Sequence, residues 1–153
     1  MKKIYTDGAG SNQKTLCGGW AFVVYDNDKV IHSAAGGATY TTNNRMEMTA
    51  LIEGMKYSNK FEDVTFYIDS AYIVNCLKEK WYLKWRTNGW VTSKKTPVLN
   101  KDLWEQILEL YENSCFKIEK VKAHSTTEGN ILADSLAVEQ KKKKEGELLC
   151  KEL

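Results

Sequence analysis

The hydrophobic pattern of this chain changes after residue 38, and the change limits the folds open to it. Three extended-strand patterns come first, over residues 3–8, 19–25 and 29–38, and the turn signal Asp26-Asn27-Asp28 predicts a hairpin between the second and the third. Helical and strand patterns then alternate to the end. This order predicts an α/β domain with a mixed five-stranded sheet, three antiparallel strands and then two parallel ones, flanked by helices.

The alternating part begins with a predicted helix over residues 43–57, for which Thr42 or Asn43 is the expected N-cap. Residues 64–69 form a nearly continuous apolar run, which is typical of a strand buried on both faces. Further helices are predicted over residues 71–78, 81–87 and 100–111, a strand over 116–121, and then a helix that holds Asp134.

Length and composition indicate one domain. A chain of 153 residues with 42% hydrophobic content can bury one sizeable core but not two. No apolar stretch is long enough to cross a bilayer, and Met1-Lys2-Lys3 leads directly into a strand pattern rather than a signal peptide. We therefore expect a single domain in the cytoplasm, without a membrane partner.

Cysteine spacing disfavours a zinc site and a disulfide framework. The four cysteines are far apart and form no C-x-x-C pair: Cys17, Cys76, Cys115 and Cys150. We expect their thiols to lie in or near the core.

Four carboxylates occupy positions where packing alone would favour an apolar residue: Asp7, Glu47, Asp69 and Asp134. Asp7 and Asp69 each end an apolar strand pattern, whereas Glu47 and Asp134 each lie on the apolar stripe of a predicted helix. A buried charge is costly unless it is paired, and the common partner of clustered acids is a divalent cation. If the two strands and two helices meet, the four acids predict a metal site.

The motifs around these acids resemble those of type 1 ribonuclease H, in order and in spacing, from about Lys3 to Val138. They are Tyr5-Thr6-Asp7-Gly8-Ala9, Thr41-Thr42-Asn43-Asn44-Arg45-Met46-Glu47, Tyr67-Ile68-Asp69-Ser70-Ala71-Tyr72, and Val121-Lys122-Ala123-His124 followed by Ala133-Asp134. Each motif alone is a weak signal because D-G and D-S dipeptides are frequent in turns. Their combination is specific.

The resemblance implies the ribonuclease H fold and an endoribonuclease that cuts the RNA strand of RNA–DNA hybrids. It implies two Mg²⁺ ions, with Mn²⁺ as a possible substitute, held by Asp7, Glu47, Asp69 and Asp134, and products with 3′-hydroxyl and 5′-phosphate ends. It assigns His124 a helpful part in proton transfer or product departure, while a purely structural role at the sheet edge is the alternative. Nothing in the sequence demands a protein partner, so we expect a monomer. Because Asp7 comes so early in the chain, we expect no separate N-terminal hybrid-binding domain.

The stretch from Lys78 to Lys95 holds six basic residues against one acid, together with three tryptophans. Basic side chains neutralise phosphates, and aromatic rings offer flat surfaces to sugars and bases. The stretch resembles the basic handle with which many bacterial relatives hold the DNA strand. Its candidate substrate-binding residues are Lys80, Trp81, Lys84, Trp85, Arg86, Trp90, Lys94 and Lys95. In the alternative interpretation, the tryptophans pack the short helices together and the lysines are only solvated.

By the same resemblance, Asn12, Asn43 and Asn44 are expected to contact the two strands of the substrate, and Thr42 with Asn100 to form a pocket for a DNA phosphate. Three segments depart from the bacterial pattern. Ala71 replaces a glutamine, which predicts that one minor-groove contact is missing; the loop Gly10 to Gly19 lacks the usual prolines; and the lysine-rich tail from Lys141 to Leu153 has no firm counterpart. We expect this tail to be a solvated helix end.

Two other functions compete with hybrid cleavage. Integrases, transposases and junction resolvases share this fold and cut DNA, but they lack the T-T-N-N-R-M-E helix and the basic handle. A hybrid-binding module without catalysis would have no need of all four acids. Equal cleavage of duplex DNA would favour the first alternative, and binding without cleavage in Mg²⁺ the second.

Overall fold

The structure, a computed structural model, describes residues 1–10, 16–121 and 127–151, with only the backbone for 149–151. Its elements are strands β1 (Lys2–Gly10), β2 (Gly18–Asp26) and β3 (Lys29–Ala38), helix α1 (Asn43–Ser58), strand β4 (Val64–Ile68), helices α2 (Ala71–Lys78), α3 (Trp81–Asn88) and α4 (Lys101–Glu112), strand β5 (Lys117–Lys120) and helix α5 (Glu128–Lys151). Each element predicted from the sequence is present, with ends shifted by one or a few residues.

The strands form one five-stranded sheet in the order β3-β2-β1-β4-β5. β1 and β3 pair antiparallel with β2, whereas β4 runs parallel to both β1 and β5. Asn27 and Asp28, with φ values of 51° and 65°, form the two-residue turn that joins β2 to β3. The predicted mixed sheet is therefore confirmed.

The two faces of the sheet bury different cores because side chains alternate along each strand. Ile4 faces the larger core, where it packs with Leu51 of α1 and Phe66 of β4. Its neighbour Tyr5 faces the smaller core, which includes Ala133 of α5. Consecutive residues of β1 thus contact helices on opposite sides of the sheet, and β1 is the strand on which both layers meet.

Helix α5 lies directly on β2 because Gly19 has no side chain. A Cβ atom at Gly19 would collide with the Ala137 carbonyl and would stand 2.7 Å from the backbone nitrogen of Lys141. The helix continues through the lysine run, and Lys142 and Lys143 are exposed, as expected for a solvated helix end. Within the described ranges, neither α5 nor any other helix is long and apolar enough to span a bilayer.

The cysteines are distributed differently from the prediction. Cys17 and Cys76 are buried, as expected, but Cys115 is exposed. Cys115 lies in the short connection between α4 and β5, where the chain turns at the surface, so the core prediction is wrong for this residue. The side chain of Cys150 is outside the described part of the structure.

Candidate active site

Asp7 and Glu47 meet because β1 and the first turns of α1 touch. Both side chains are buried, with exposed fractions of 6% and 5%. A Cβ atom at Gly8 would overlap the backbone of Met46 and Glu47, so only glycine allows α1 to approach β1 this closely. The Gly8 N–H also donates to Asp7 Oδ1 at 2.9 Å, which fixes one carboxylate oxygen in place.

The other two acids approach Asp7 from β4 and α5. Ile68 pairs with Thr6 in the parallel register of β4 and β1, so Asp69 emerges next to Asp7. Asp134 of α5 lies close enough to Asp7 for its negative charge to raise the Asp7 pKa. Two strands and two helices therefore bring all four predicted acids to one place.

The burial of these acids is uneven. Asp69 is half-buried, and Asp134 is exposed, as is Ile131 one turn before it. The buried face of α5 is formed by Ala133 and Ala137 instead. The prediction that each acid replaces an apolar core residue is thus right for Asp7 and Glu47 and wrong for Asp134, because the α5 stripe is rotated by one residue.

Burial is the main cause of the electrostatic strain in the cluster. It raises the pKa of Asp7, and Asp134 raises that pKa further, while hydrogen bonds from Glu47 and Gly8 oppose the shift. Burial also raises the pKa of Glu47, reinforced by the negative charges of Asp7 and Asp69. Because each carboxyl is buried beside the other, both pKa values are raised together.

The donor set fits a divalent cation. Glu47 Oε2 is buried and has no hydrogen-bond partner among the described residues. A cation would pair with that oxygen and neutralise the crowded charges. Within those same residues, no three acidic, histidine or cysteine side chains are already spaced as ligands of one ion. The acids are therefore neighbours that could hold a cation, but their side chains are not already arranged as a coordination shell.

Only one of the two histidines lies in the described part of the structure. His124 lies outside the described residues, as does Asn12. The chain enters that segment from Val121, whose N–H donates to the Ile68 carbonyl at 2.9 Å, next to Asp69. His32 of β3 stacks on Tyr57 of α1 with ring centroids 4.1 Å apart and so packs within the fold.

The start of α1 carries three of the predicted substrate residues. Thr42 is the N-cap, and its Oγ1 accepts from the Arg45 N–H at 3.2 Å. Asn43 is not the cap; its Oδ1 accepts from the Gly10 N–H at 3.1 Å and ties α1 to the end of β1. Asn44 is exposed on the first turn. This polar corner lies beside the acid cluster because Glu47 is one turn further along the same helix.

Arg45 links this corner to α4, a contact that the sequence analysis did not foresee. Its Nη1 donates to Asn100 Oδ1 at 3.1 Å, and its guanidinium makes a two-pronged ion pair with Asp102, at 3.0 and 2.8 Å. Thr42 and Asn100, predicted to share a phosphate pocket, are thereby connected through one residue. Arg45 and Asp102 are 57 positions apart, and no local pattern marks such a pair.

The basic stretch folds into α3 and a small hairpin, which together enclose a groove of about 680 Å³. The hairpin is held by the Val98 N–H donating to the Trp90 carbonyl at 2.9 Å, and Lys94 and Lys95 lie exposed at its tip. The groove is lined mainly by Lys80, Trp81, Lys84, Trp85 and polar residues of the hairpin. Lysine and tryptophan side chains thus share one open surface.

Two of the predicted handle residues serve the fold. Trp85 is buried against Trp104 of the core, with ring centroids 5.7 Å apart, whereas Trp81 and Trp90 are only half-buried. Arg86 makes a two-pronged ion pair with Glu112 of α4, at 3.0 and 2.5 Å. This ion pair packs α3 on α4, and phosphate binding by Arg86 stays a prediction. Trp85 likewise belongs to the core, exposing only an edge to the groove.

The sequence matches the RNase H family over residues 1–142. A ribonuclease H from Thermoanaerobacter sp. (strain X514) is 46% identical over 142 residues, which cover 92% of this chain and 90% of that protein.

Solved structures share the fold. The foamy viral protease-reverse transcriptase in complex with RNA/DNA hybrid has a TM-score of 0.78 at 25% identity, covering 92% of this chain and 20% of that chain. LC9-RNase H1, a type 1 RNase H, has a TM-score of 0.79 at 23% identity, covering 94% and 72%. With its sheet order, its acid cluster and its sequence in agreement, the chain belongs to the ribonuclease H family.

Proposed function

We propose that this protein is a metal-dependent endoribonuclease that hydrolyses the RNA strand of RNA–DNA hybrids. The observation that carries the proposal is the gathering of Asp7, Glu47, Asp69 and Asp134 from four separate elements around one buried carboxyl. Family membership and the ribonuclease H relatives support it. The foamy viral structure, which contains an RNA/DNA hybrid, supports the choice of substrate.

The four carboxylates would hold two Mg²⁺ ions, or Mn²⁺ in their place. Bound there, the ions would supply a nucleophile at neutral pH and charge stabilisation on both sides of the scissile phosphate, giving 3′-hydroxyl and 5′-phosphate ends. The chain contributes the positions of the oxygens: Gly8 N–H holds one oxygen of Asp7, and the contact of α1 with β1 holds Glu47 beside it. The cluster would release protons when it is loaded.

Substrate contacts would surround this cluster. Asn43 and Asn44 at the start of α1, with Asn12, would contact the two strands, and the 2′-hydroxyl would identify the RNA. Thr42 and Asn100 would bind a DNA phosphate. In the groove, Lys80 and Lys84 would bind phosphates and Trp81 would offer a stacking surface. Outside its lining, Lys94 and Lys95 at the hairpin tip would bind further phosphates, and Trp90 would be a second stacking surface.

His124 would assist by accepting a proton or by helping the product to leave. We further propose that the chain acts as a single catalytic domain and as a monomer, while its cytoplasmic location stays a prediction. The cleavage of duplex DNA is less well supported because the family matched is RNase H rather than that of a DNA nuclease. A binding module without catalysis is less well supported because it would not need four converging acids.

The test is a cleavage assay on four end-labelled substrates: RNA–DNA hybrid, double-stranded RNA, single-stranded RNA and duplex DNA, each with Mg²⁺ and with EDTA. We expect cleavage of the hybrid alone, abolished by EDTA, and products whose RNA 3′ ends can be extended by a polymerase without phosphatase treatment. An intact hybrid in both Mg²⁺ and Mn²⁺ would favour the binding module, and cleaved duplex DNA would favour the DNA nuclease.

A further inference from the structure

We propose that Arg45 is a positioning residue that holds the Asn100 amide as a hydrogen-bond donor towards a DNA phosphate, to which Thr42 would be the second donor. The inference rests on the proposed function, since it concerns how the hybrid's DNA strand is held. Arg45 would touch neither a metal ion nor the phosphate, and it would act by orienting a residue that does.

The first observation concerns the amide of Asn100. Asn100 stands at the N-cap of α4 with φ 62°, and its side chain makes no capping hydrogen bond to the helix. Its Oδ1 accepts from Arg45 Nη1 at 3.1 Å instead. Because the acceptor end of the amide is engaged by Arg45, the end that remains for a ligand is the NH₂ group, which can only donate. An amide held in this orientation favours an anion.

The second observation concerns the hydroxyl of Thr42, the N-cap of α1. The backbone N–H of Arg45 donates to Thr42 Oγ1 at 3.2 Å, which leaves the hydroxyl hydrogen of Thr42 available as a donor. This contact is made by the backbone of Arg45 and does not need the arginine side chain, which engages Asn100. Two donors held in place in this way would bind a phosphate oxygen without first losing side-chain freedom.

The third observation separates this role from direct phosphate binding. The Arg45 guanidinium is fixed by two hydrogen bonds to Asp102, at 3.0 and 2.8 Å, and its positive charge is matched there by a carboxylate. A planar guanidinium can serve Asn100 and Asp102 together because its donors form a rigid fork. A lysine would keep the charge but could not reproduce that fork.

The test is a double-mutant cycle on hybrid binding, measured by fluorescence anisotropy of a labelled RNA–DNA hybrid in EDTA. Arg45→Met in the otherwise native chain should raise Kd by about tenfold. This is the effect of losing one hydrogen bond to a charged group, here the bond that Asn100 would donate to the phosphate. In the Asn100→Ala background, the same Arg45→Met change should leave Kd unaltered within about twofold, because the residue it positions is already gone. Equal effects in both backgrounds, or no effect in either, would overturn the proposal.

Arg45→Lys and salt dependence provide the second discriminator. A positioning role predicts that Arg45→Lys weakens binding as much as Arg45→Met does. It also predicts that neither change alters the slope of log Kd against log salt, because no phosphate contact of Arg45 itself is lost. Full rescue by lysine, or a slope reduced by about 0.7–0.9, would show direct phosphate binding by Arg45 and contradict the proposal.

Lys56→Met is the matched control, since it removes another ion pair of α1, that of Lys56 with Glu53, far along the helix from Thr42. It should leave Kd unchanged, and circular dichroism should show all variants folded. Failure of the wild-type chain to cleave the hybrid would contradict the proposed function but not the binding cycle. An additive cycle in a chain that does cleave the hybrid would contradict the inference alone.

Discussion

The carboxyl of Glu47 on α1 lies beside the carboxyl of Asp7 on β1, where the helix and the strand touch, and both are buried. Packing would favour two apolar side chains at this contact between a helix and a strand. Burial instead raises the pKa of each acid, so the pair costs folding energy near neutral pH. A fold that keeps such a pair keeps it for chemistry rather than for stability.

This cost predicts a pH-dependent gain in stability for Asp7→Asn in EDTA. The folded-state pKa of Asp7 is raised to about 7, against about 3.9 in an unfolded chain. The folded state therefore binds the proton more tightly, and wild-type stability falls as pH rises between these values. The variant should match wild type near pH 4 and exceed it by about 1–3 kcal/mol above pH 7. Urea unfolding across this range measures the difference, and a gap independent of pH would contradict the assignment.

Asp102→Asn is a control for which we expect a change in stability of the opposite sign. The hydrogen bonds from Arg45 lower the pKa of Asp102, so the stability this carboxylate adds is present above its unfolded pKa and lost as pH falls through its folded value. Because Asp102 is mostly exposed, the variant should lose less than about 1 kcal/mol at neutral pH and nothing at low pH. Urea unfolding across the same pH range measures the stability of both variants.

Mg²⁺ should stabilise the wild-type chain at pH 7 by about 2.7 kcal/mol when present at a hundred times its Kd. Binding should also release protons, because the cluster must ionise to hold the cation. Thermal unfolding with and without Mg²⁺ measures the first effect, and calorimetric titration in buffers of different ionisation enthalpy the second. Asp7→Asn should show a much smaller increase in Tm; an equal increase would place the cation elsewhere.

Gly8→Ala should destabilise the chain and impair cleavage, because a methyl group there collides with the backbone of Glu47. We expect a loss of at least about 2 kcal/mol, typical of overpacking against a rigid neighbour. Gly146→Ala is the matched control: nothing lies within 4 Å of its added Cβ, inside helix α5. It should stabilise by about 0.5–1 kcal/mol with unchanged cleavage. A Gly8→Ala variant as stable and active as wild type would contradict the close contact of α1 and β1.

Neutralising Lys84, Lys94 and Lys95 together to glutamine should raise KM for the hybrid and flatten its dependence on salt, while kcat changes little. Arg86→Gln should instead lower stability, because it leaves Glu112 of α4 without its partner. Steady-state kinetics at several salt concentrations, with thermal unfolding of each variant, separate the two effects. A KM for the triple variant that equals the wild-type value at every salt concentration would leave the lysines as solvated surface only.

The fold was largely predictable because local chemistry and global topology agree. The turn residues Asn27 and Asp28 marked the β2–β3 hairpin, and the apolar run before Asp69 marked a central strand. The burial of Glu47 followed from its helical stripe. Asp134 was different: the periodicity identified a helix but could not fix its rotation, which depends on the contact of Ala137 with Gly19.

Residues that depend on distant partners could not be assigned from the sequence. Arg86 looked like a phosphate ligand because its neighbours along the chain are basic, but its ion-pair partner, Glu112, is 26 positions away. Arg45 stood within a motif without a visible role, since its contacts to Asn100 and Asp102 exist only after α1 and α4 pack together. Charge patterns locate a surface, whereas three-dimensional packing decides which charges remain available on it.

The central claim is that the four acids make this fold a nuclease, and cleavage of the hybrid by Asp7→Asn tests it most directly. The rate constant should be measured under single-turnover conditions at saturating Mg²⁺, with folding checked by circular dichroism. We predict a folded variant that still binds the hybrid but whose rate falls by at least about a thousandfold, since a neutral amide cannot replace a carboxylate between two cations. A folded variant that keeps a substantial fraction of the wild-type rate would contradict the assignment of the acid cluster as the catalytic centre.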